Sequence, residues 1–496
     1  MKLQYLCDAA GIDCPHTHRE DEILAIVTDS RRVCSDSLFV CVRGLQSDGH
    51  AFVSEAIRDG AKWILAQTGA DIPIRDDVTY LYADDTRRAL AFLYHAWYGN
   101  PCDSMKMIGV TGTNGKSTVT HMITKILSDA GKRCGLIGTL GCFLNGDAMK
   151  SNGVGTMTTP DPEYLYQALA EMKRAGAEYV IMETSSHALS LEKVAPIRFC
   201  VGIFTNLTPE HLDFHENMEE YAQAKTKLFA QSEFSLINTD SDYADRMLTA
   251  ANGARSTCSS QSANADGYAD EIAVSRDGVS YLLHTKIETI KIDCPISGGF
   301  TVMNSMQAAI CTINLGIAPA DVCRSLAALH GVKGRMERVN LPKDAPFTVL
   351  IDYAHTPDAL ENLLLSVREI KKDGERIVLL FGCGGDRDKS KRPVMGHIAS
   401  VYADFVFLTS DNSRTEDKDT ILRSIFNGFD LTTPCTVISD RKEAIRQAIL
   451  TARRGDIILL AGKGHEEYEI DAAGCHPFCE KEIVSEAYDL RVKNMD

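Results

Sequence analysis

Ten residues, Gly109-Val-Thr-Gly-Thr-Asn-Gly-Lys-Ser-Thr118, constrain this chain more than any other stretch. They follow an apolar run, Met105 to Val110, and lead into a helical pattern from Val119 to Leu127. A strand feeding a glycine-rich turn that opens a helix gathers backbone N–H groups around a phosphate. Gly112, Thr113, Asn114, Gly115, Lys116, Ser117 and Thr118 would then cradle ATP, with Lys116 reaching the outer phosphates and the Ser117 hydroxyl ligating Mg2+. The strict phosphate-loop pattern wants glycine five residues before Gly115, where this chain has Val110; its glycines fall at 109, 112 and 115. The spacing marks a particular subtype of ATP loop.

At 496 residues the chain is too long for one hydrophobic core. Three blocks are expected: 1–100, 101–339 and 340–496. The first ends in a helix-like stretch, Thr86 to Tyr98, followed by the breaker cluster Gly99-Asn100-Pro101. In the second, apolar strands at Glu178 to Met182, Cys200 to Phe204 and Phe234 to Asn238 alternate with amphipathic helices, which implies parallel pairing. Short antiparallel strands are expected from Val274 to Ile292. In the third, Phe347 to Ile351, Arg376 to Phe381, Phe405 to Leu408, Cys435 to Ile438 and Asp456 to Leu460 read as strands of a doubly wound sheet. The fold class is α/β, with a central parallel-sheet ATPase-like domain and a Rossmann-like C-terminal domain. A formal net charge of −16 argues against nucleic acid and anionic membranes as partners. The N-terminus shows no basic segment leading into an apolar stretch, no run is long enough to cross a membrane, and sixteen scattered cysteines fit reduced thiols; the expected location is the cytoplasm. Cys475, His476 and Cys479 form the tightest thiol cluster, too few ligands for a zinc site.

Chemistry-bearing residues stand at strand ends in the second block. Glu183 follows Tyr179-Val-Ile-Met182, where a carboxylate beside a phosphate loop can hold Mg2+ or be a solvated loop residue. His211 follows the run ending at Phe204 and is a candidate for metal or phosphate contact. Lys225 shares one helix face with Tyr221 and Leu228, whereas Lys227, Glu220 and Gln223 lie on the polar face. A lysine on an apolar face either snorkels to water, the reading the pattern alone favours, or has its charge removed by chemistry such as carbamylation.

Thr111-Gly-Thr-Asn-Gly-Lys-Ser-Thr118, Glu183-Thr-Ser-Ser-His187, Thr205-Asn-Leu-Thr-Pro-Glu-His-Leu-Asp213 and Tyr221-Ala-Gln-Ala-Lys225 resemble the Mur ligase family. Gly334-Arg335-Met-Glu-Arg338, Asp352-Tyr-Ala-His355 and Gly462-Lys-Gly-His-Glu466 extend the resemblance across nearly the whole chain in the expected order. It implies an ATP-dependent amide ligase: a carboxylate is phosphorylated to an acyl phosphate, and an amine displaces phosphate through a tetrahedral intermediate. It also implies catalytic roles for Lys116, Glu183, His211 and Lys225. Ser117 and Glu183 would hold one Mg2+, and His211 with carbamylated Lys225 a second. Asn304 and Arg335 would meet the base and ribose of ATP, while Asp352 and His355 would approach its phosphates.

By the same resemblance, the first block is a UDP-binding α/β domain, through Thr28-Asp-Ser-Arg31 and Arg43-Gly-Leu-Gln-Ser-Asp-Gly-His-Ala-Phe52. Ser30, Thr158, Thr159, Ser185 and Lys193 would hold the nucleotide-linked substrate UDP-MurNAc-L-Ala-D-Glu. Lys193 stands where the family commonly has arginine, keeping charge without bidentate geometry. Asp411-Asn-Ser-Arg414 is similar to the signature of members that add meso-diaminopimelate, with Ser413 in place of proline. An arginine fork binds the second carboxylate of that amino acid, and L-lysine has nothing to offer it. Arg387, Asp411, Asn412, Arg414, Gly462 and Glu466 are therefore the expected acceptor site, with an L-lysine-adding relative as the alternative. The protein is expected to act as a monomer.

Overall fold

The computed structural model describes residues 1–44, 47–149, 157–329, 331–342, 344–430 and 432–494. It is α/β throughout, as its alternating strands and amphipathic helices dictate.

Strands Ala25–Val27, Ser37–Val40, Trp63–Gln67 and Thr79–Ala83 form a four-stranded parallel sheet in sequence order. The helix Thr86–Trp97 begins where Asp85 accepts hydrogen bonds from the N–H groups of Arg87 and Arg88, a side-chain N-cap. Its buried face carries Leu93 and Tyr94 into a hydrophobic cluster shared with Leu165, Tyr166 and Met172 of the following region. Each such side chain contributes about 1.5–3 kcal/mol on full burial, so this seam is a packed interface rather than a loose tether.

The second sheet has eleven strands, and its order places the phosphate-loop strand, Lys106–Thr111, between Phe199–Phe204 and Tyr179–Glu183. Beyond Phe199–Phe204 lie Ser232–Asn238, Ala254–Ser259 and Gly267–Ser275, all parallel, then the antiparallel Gly278–His284 and Thr289–Cys294. Beyond Tyr179–Glu183 lie Cys134–Gly138 and a small antiparallel extension, Gly141–Leu144 and Asp147–Ala148. The antiparallel stretch expected from Val274 to Ile292 is present; the one after Gly138 has no counterpart in the sequence pattern. The chain order reverses at Lys106–Thr111, which makes a crevice at the carboxyl ends of the three central strands.

The third sheet repeats this logic. Thr348–Asp352 lies beside Ile457–Ala461, followed by Ile377–Phe381, Phe405–Leu408 and Cys435–Val437, all parallel. The strand Glu337–Arg338 pairs antiparallel with Thr348–Asp352, so this sheet recruits residues just ahead of 340. Its crevice opens where Asp352, Ala461 and Phe381 end. Among the described residues no helix is long and apolar enough to cross a membrane.

Candidate functional site

The loop after Thr111 turns through Gly112 at φ 150° and Gly115 at φ 86°, and the helix Lys116–Asp129 starts directly on it, three residues earlier than the apolar pattern indicates. A Cβ at Gly112 would overlap the Thr205 hydroxyl, and one at Gly115 the Asn304 amide, so both glycines are fixed by close approach. Thr113 Oγ1 lies 3.1 Å from the Tyr221 hydroxyl, and Asn206 Oδ1 accepts from the Asn114 N–H at 2.9 Å. Lys116 Nζ donates to the carbonyls of Gly112 and Thr113, at 3.0 and 2.7 Å. Ser117 and Thr118 are buried at the helix start, and Arg335 Nη2 donates to Ser117 Oγ at 3.3 Å.

Lys225 does not snorkel. Its residue is 1% exposed, and its Nζ donates to Gly112 O at 2.9 Å while lying 4.5 Å from the Tyr221 ring centroid. Burial, and then the neighbouring Lys116 cation, push its pKa far below the usual lysine value. Lys116 is lowered too, chiefly by burial. Two lysines are thus held beside one loop with their charged forms disfavoured.

Glu183 ends its strand with the carboxylate buried, accepting from the Thr139 N–H at 2.9 Å and the Thr139 hydroxyl at 3.1 Å. His211 adopts φ 57°, a left-handed conformation uncommon outside glycine, and such strain is concentrated at functional sites. Its Nε2 stands 3.5 Å from Glu210, whose other oxygen is 4.0 Å from His355 Nε2. Burial alone would raise the Glu210 pKa, but His211, Lys116, His355 and Lys225 together hold it below the ordinary value. Burial lowers His211 and His355 and raises Asp352, whose carboxylate accepts from the Met336 and Ala354 N–H groups. His187 packs on His211 at 4.7 Å and on Phe214 at 4.1 Å.

The structure therefore brings Lys116, Ser117, Lys225, His211, Asn304 and Arg335 around one loop. Thr159 Oγ1 donates to the Glu183 carbonyl and to Ser185 Oγ, and Thr158 Oγ1 lies 3.1 Å from Thr139 Oγ1, so the 158–159 and 185 segments adjoin Glu183. Lys193 is buried with its Nζ 2.7 Å from Asp161. Ser30 is buried and donates to Glu55 at 2.9 Å, so its hydroxyl is already engaged. Leu45 and Gln46, in the second expected UDP segment, lie outside the described residues.

At the crevice of the third sheet, Asn412 is fixed on both sides. Its Oδ1 accepts from Lys463 Nζ at 2.9 Å and from the Ile470 N–H at 3.0 Å, and its Nδ2 donates to Glu466 at 2.8 Å. Asp411 is held below the ordinary carboxylate range by Lys463 and Arg441 despite burial, whereas Glu466 is raised by burial and by Asp411. Arg414, at φ 51°, spends one guanidinium nitrogen on the carbonyls of Gly385 and Asn412. Gly462, at φ 113°, sits where a Cβ would fall 2.8 Å from Asp411 Oδ2. Arg387 is exposed, donates to the Asp386 carbonyl at 3.4 Å, and borders Gly384 together with Arg414 and the Asn412 carbonyl. Cys475 is exposed in a hairpin where His476 pairs with Asp471.

The two crevices are joined by contact. From Ser117 the path runs to Arg335, whose guanidinium lies 4.9 Å from the Tyr353 ring centroid, then through the Tyr353 hydroxyl to Glu466 at 3.5 Å, and on to Asn412. Glu210, Asn206, Tyr221, Thr139, Lys463 and Asp358 take part in this architecture without having been assigned roles from sequence. Glu210, Asn206, Tyr221 and Lys463 lie inside the quoted motifs, which was their only signal.

Ser117 and Glu183 offer hard oxygen donors, each Glu183 oxygen keeping a lone pair beyond its Thr139 bond. Among the described residues no three His, Cys, Asp or Glu side chains converge on one point. That donor set fits Mg2+, which binds through one or two protein ligands together with substrate phosphates.

Three family models match the chain: Mur ligase family, catalytic domain, over residues 22–98; Mur ligase middle domain over 110–312; and Mur ligase, glutamate ligase domain, over 334–464. The UDP-N-acetylmuramoyl-L-alanyl-D-glutamate–2,6-diaminopimelate ligase of Syntrophomonas wolfei is 40% identical over 99% of this chain and 100% of its own length. A protein of the same name from Clostridium perfringens is 39% identical, with 99% of each chain covered. A solved structure of a ligase of that name superposes with a TM-score of 0.70 at 28% identity, covering 99% of this chain and all of the other.

Proposed function

The chain belongs to the Mur ligase family, and from that premise we propose that it joins meso-2,6-diaminopimelate to the D-glutamyl γ-carboxylate of UDP-MurNAc-L-Ala-D-Glu at the expense of ATP, in the cytoplasm. The observation that carries this reading is the unbroken contact path from the phosphate loop at Ser117 to the acceptor loop at Asn412. An amide ligase needs such continuity, because the activated carboxylate must be captured where it is made.

The γ-carboxylate takes the terminal phosphoryl group of ATP, becoming an acyl phosphate. The free amine then adds to its carbonyl carbon, and the tetrahedral adduct expels inorganic phosphate as the amine loses a proton. The protein's part is positioning and neutralisation of crowded negative charge. Lys116, now folded onto its own loop carbonyls, swings to the transferring phosphoryl group. Ser117 and Glu183 would hold Mg2+, and His211 with Lys225 a second ion, which when bound supplies charge neutralisation at the phosphates. For Lys225 to serve as an anionic ligand its amine takes up CO2, forming an N–C bond and releasing a proton. Burial disfavours the ammonium form of Lys225 and so favours the neutral amine this addition requires.

Thr158, Thr159, Ser185 and Lys193 would line the approach of the dipeptide, and Ser30 the nucleotide end. At the acceptor loop, Arg414 keeps guanidinium nitrogens for the distal carboxylate, and the Glu466 carboxylate faces the distal ammonium group. Asp411 and Asn412 would shape the acceptor site, with Arg387, beside Gly384, at its exposed rim.

A phosphate-release assay with a panel of diamino acids tests the proposal. Phosphate should appear only with both the nucleotide-linked dipeptide and meso-diaminopimelate, one per isopeptide bond. Arg414→Ala should raise the KM for meso-diaminopimelate about 100-fold while leaving that for ATP unchanged, the loss expected for a bidentate charged contact. Equal use of L-lysine by the unaltered protein would refute the acceptor assignment.

A further inference from the structure

The helix Pro357–Ile370 of the third sheet's domain lies across the boundary with the central domain and is tied to it at both ends. At its C-terminal end the Ile370 carbonyl accepts from Arg276 Nε at 3.2 Å. At its N-terminal end Asp358 Oδ2 accepts from Asn114 Nδ2 at 2.6 Å and from Thr208 Oγ1 at 3.0 Å. Asn114 belongs to the phosphate loop after Lys106–Thr111, and Thr208 to the loop after Phe199–Phe204. One carboxylate oxygen from one domain thus joins two strand-end loops of another, on either side of the crevice. Thr208 is also bound to the phosphate loop directly, its N–H donating to Thr113 Oγ1 at 3.0 Å.

Nothing in the reaction chemistry calls for this carboxylate. It is partly buried, among the described residues has no hydrogen bond to the acceptor loop, and its carboxylate faces a loop that must receive polyphosphate. Its position is explained if its task is mechanical. Any opening of the C-terminal domain at this end breaks both bonds at once, and reclosing restores them only when Asn114 and Thr208 are in register.

Building on the ligase reading above, we propose that Asp358 is a positioning residue that latches the C-terminal domain onto the nucleotide loop and keeps water from the acyl phosphate until the amine has reacted. An acyl phosphate hydrolyses when exposed, so exclusion of water decides whether ATP is spent on isopeptide or wasted. Two hydrogen bonds, one donor each from Asn114 and Thr208, are enough to shift an open–closed equilibrium by about tenfold or more.

The test compares the full-length protein with Asp358→Ala, Asp358→Asn and Thr208→Val. Phosphate released per isopeptide formed is measured at limiting acceptor. Domain closure is measured separately by small-angle scattering with a non-hydrolysable ATP analogue. Asp358→Ala should raise the phosphate-to-product ratio about tenfold and expand the analogue-bound particle. Asp358→Asn keeps an acceptor oxygen and should recover most of the coupling. Thr208→Val removes one bond from the opposite side and should fall between, which guards against misfolding of the helix variant. If Asp358→Ala closes like the parent and wastes no more ATP, the latch is overturned. Scattering judges closure without reference to product, so loss of the latch and loss of the ligase assignment are separable: the latter shows as phosphate release that never tracks isopeptide even in the unaltered protein.

Discussion

A buried lysine without a hydrogen-bonded carboxylate is expensive to keep charged, and among the described residues Lys225 donates to a carbonyl and lies over an aromatic face, with Glu210 acting on it only through space. The helix face it shares with Tyr221 and Leu228 was legible, because the 3.6-residue period places all three together. Whether the amine reached water was not legible, since a lysine stem can run along an apolar face in either case. Burial, and then the Lys116 cation, disfavour the charged form of the amine, which is the direction CO2 addition needs, since only the neutral amine reacts. Lys225→Ala should therefore lose about 10²–10³-fold in kcat, the scale of removing one electrostatic group from a closed site. Lys225→Glu, which restores an anion, should recover part of that loss. A carbamate carbon should appear in the NMR spectrum with labelled bicarbonate and vanish on acidification. Equal activity in the two variants, with no such signal, would remove the modification from the mechanism.

Elements were easier to read than their joints. Phe405–Leu408 is a strand over the residues its apolar run predicts, and Ile457–Ala461 and Ile377–Phe381 are displaced by only a residue. Each is a parallel strand buried along all or, at Phe405–Leu408, all but the first of its residues, for which a continuous apolar run is a strong signal. The hairpin Gly141–Ala148 escaped because Asp147–Ala148 is two residues long and exposed on both faces, leaving no periodicity to detect. The loop at 382–388, with glycines at 382, 384 and 385, is clamped by a contact that nothing in its own sequence marks. Glu416 grips it: its carboxylate accepts from the Asp386 N–H at 2.6 Å and from both Arg392 terminal nitrogens, at 3.0 and 3.1 Å, while Arg392 also donates to the Gly384 carbonyl. The Arg392 bond, then the Asp386 N–H, hold the Glu416 carboxyl down to about 2. A carboxyl lowered on folding stabilises the fold above its unfolded value near 4.5, and that contribution is lost as pH falls from there toward 2. Glu416→Gln should flatten the fall in unfolding temperature across this window. It should also raise the acceptor KM about tenfold without touching that of ATP, since a loosened loop costs on the order of one charged hydrogen bond. An unchanged acid profile would show that the clamp does not hold the loop.

At the scale of the whole molecule, three sheets must present a nucleotide, a peptide and an amino acid to one point, and the contacts that align them join residues far apart in sequence. Arg32, two positions after Ser30, donates through both terminal nitrogens to Glu163, at 2.8 and 2.5 Å, across 131 residues. Nothing local marks that pairing, because any surface arginine can find a carboxylate. Glu163 lies in the first turn of the helix Pro162–Arg174, immediately after the segment proposed to line the dipeptide channel. The pair thus sets the angle between the sheet holding the nucleotide end and the crevice holding the peptide end. Arg32 is half exposed, so salt screens the interaction and about 0.5–1 kcal/mol is the realistic scale. Arg32→Ala should raise the KM for UDP-MurNAc-L-Ala-D-Glu about two- to fivefold, leave ATP and acceptor constants alone, and lose most of its effect at high ionic strength. Glu163→Ala in the same background should add little, because the contact is already gone. Additive effects of the two substitutions would mean that each side chain acts through something other than its partner, and that the first sheet is aligned by the Leu93, Tyr94 and Tyr166 packing alone.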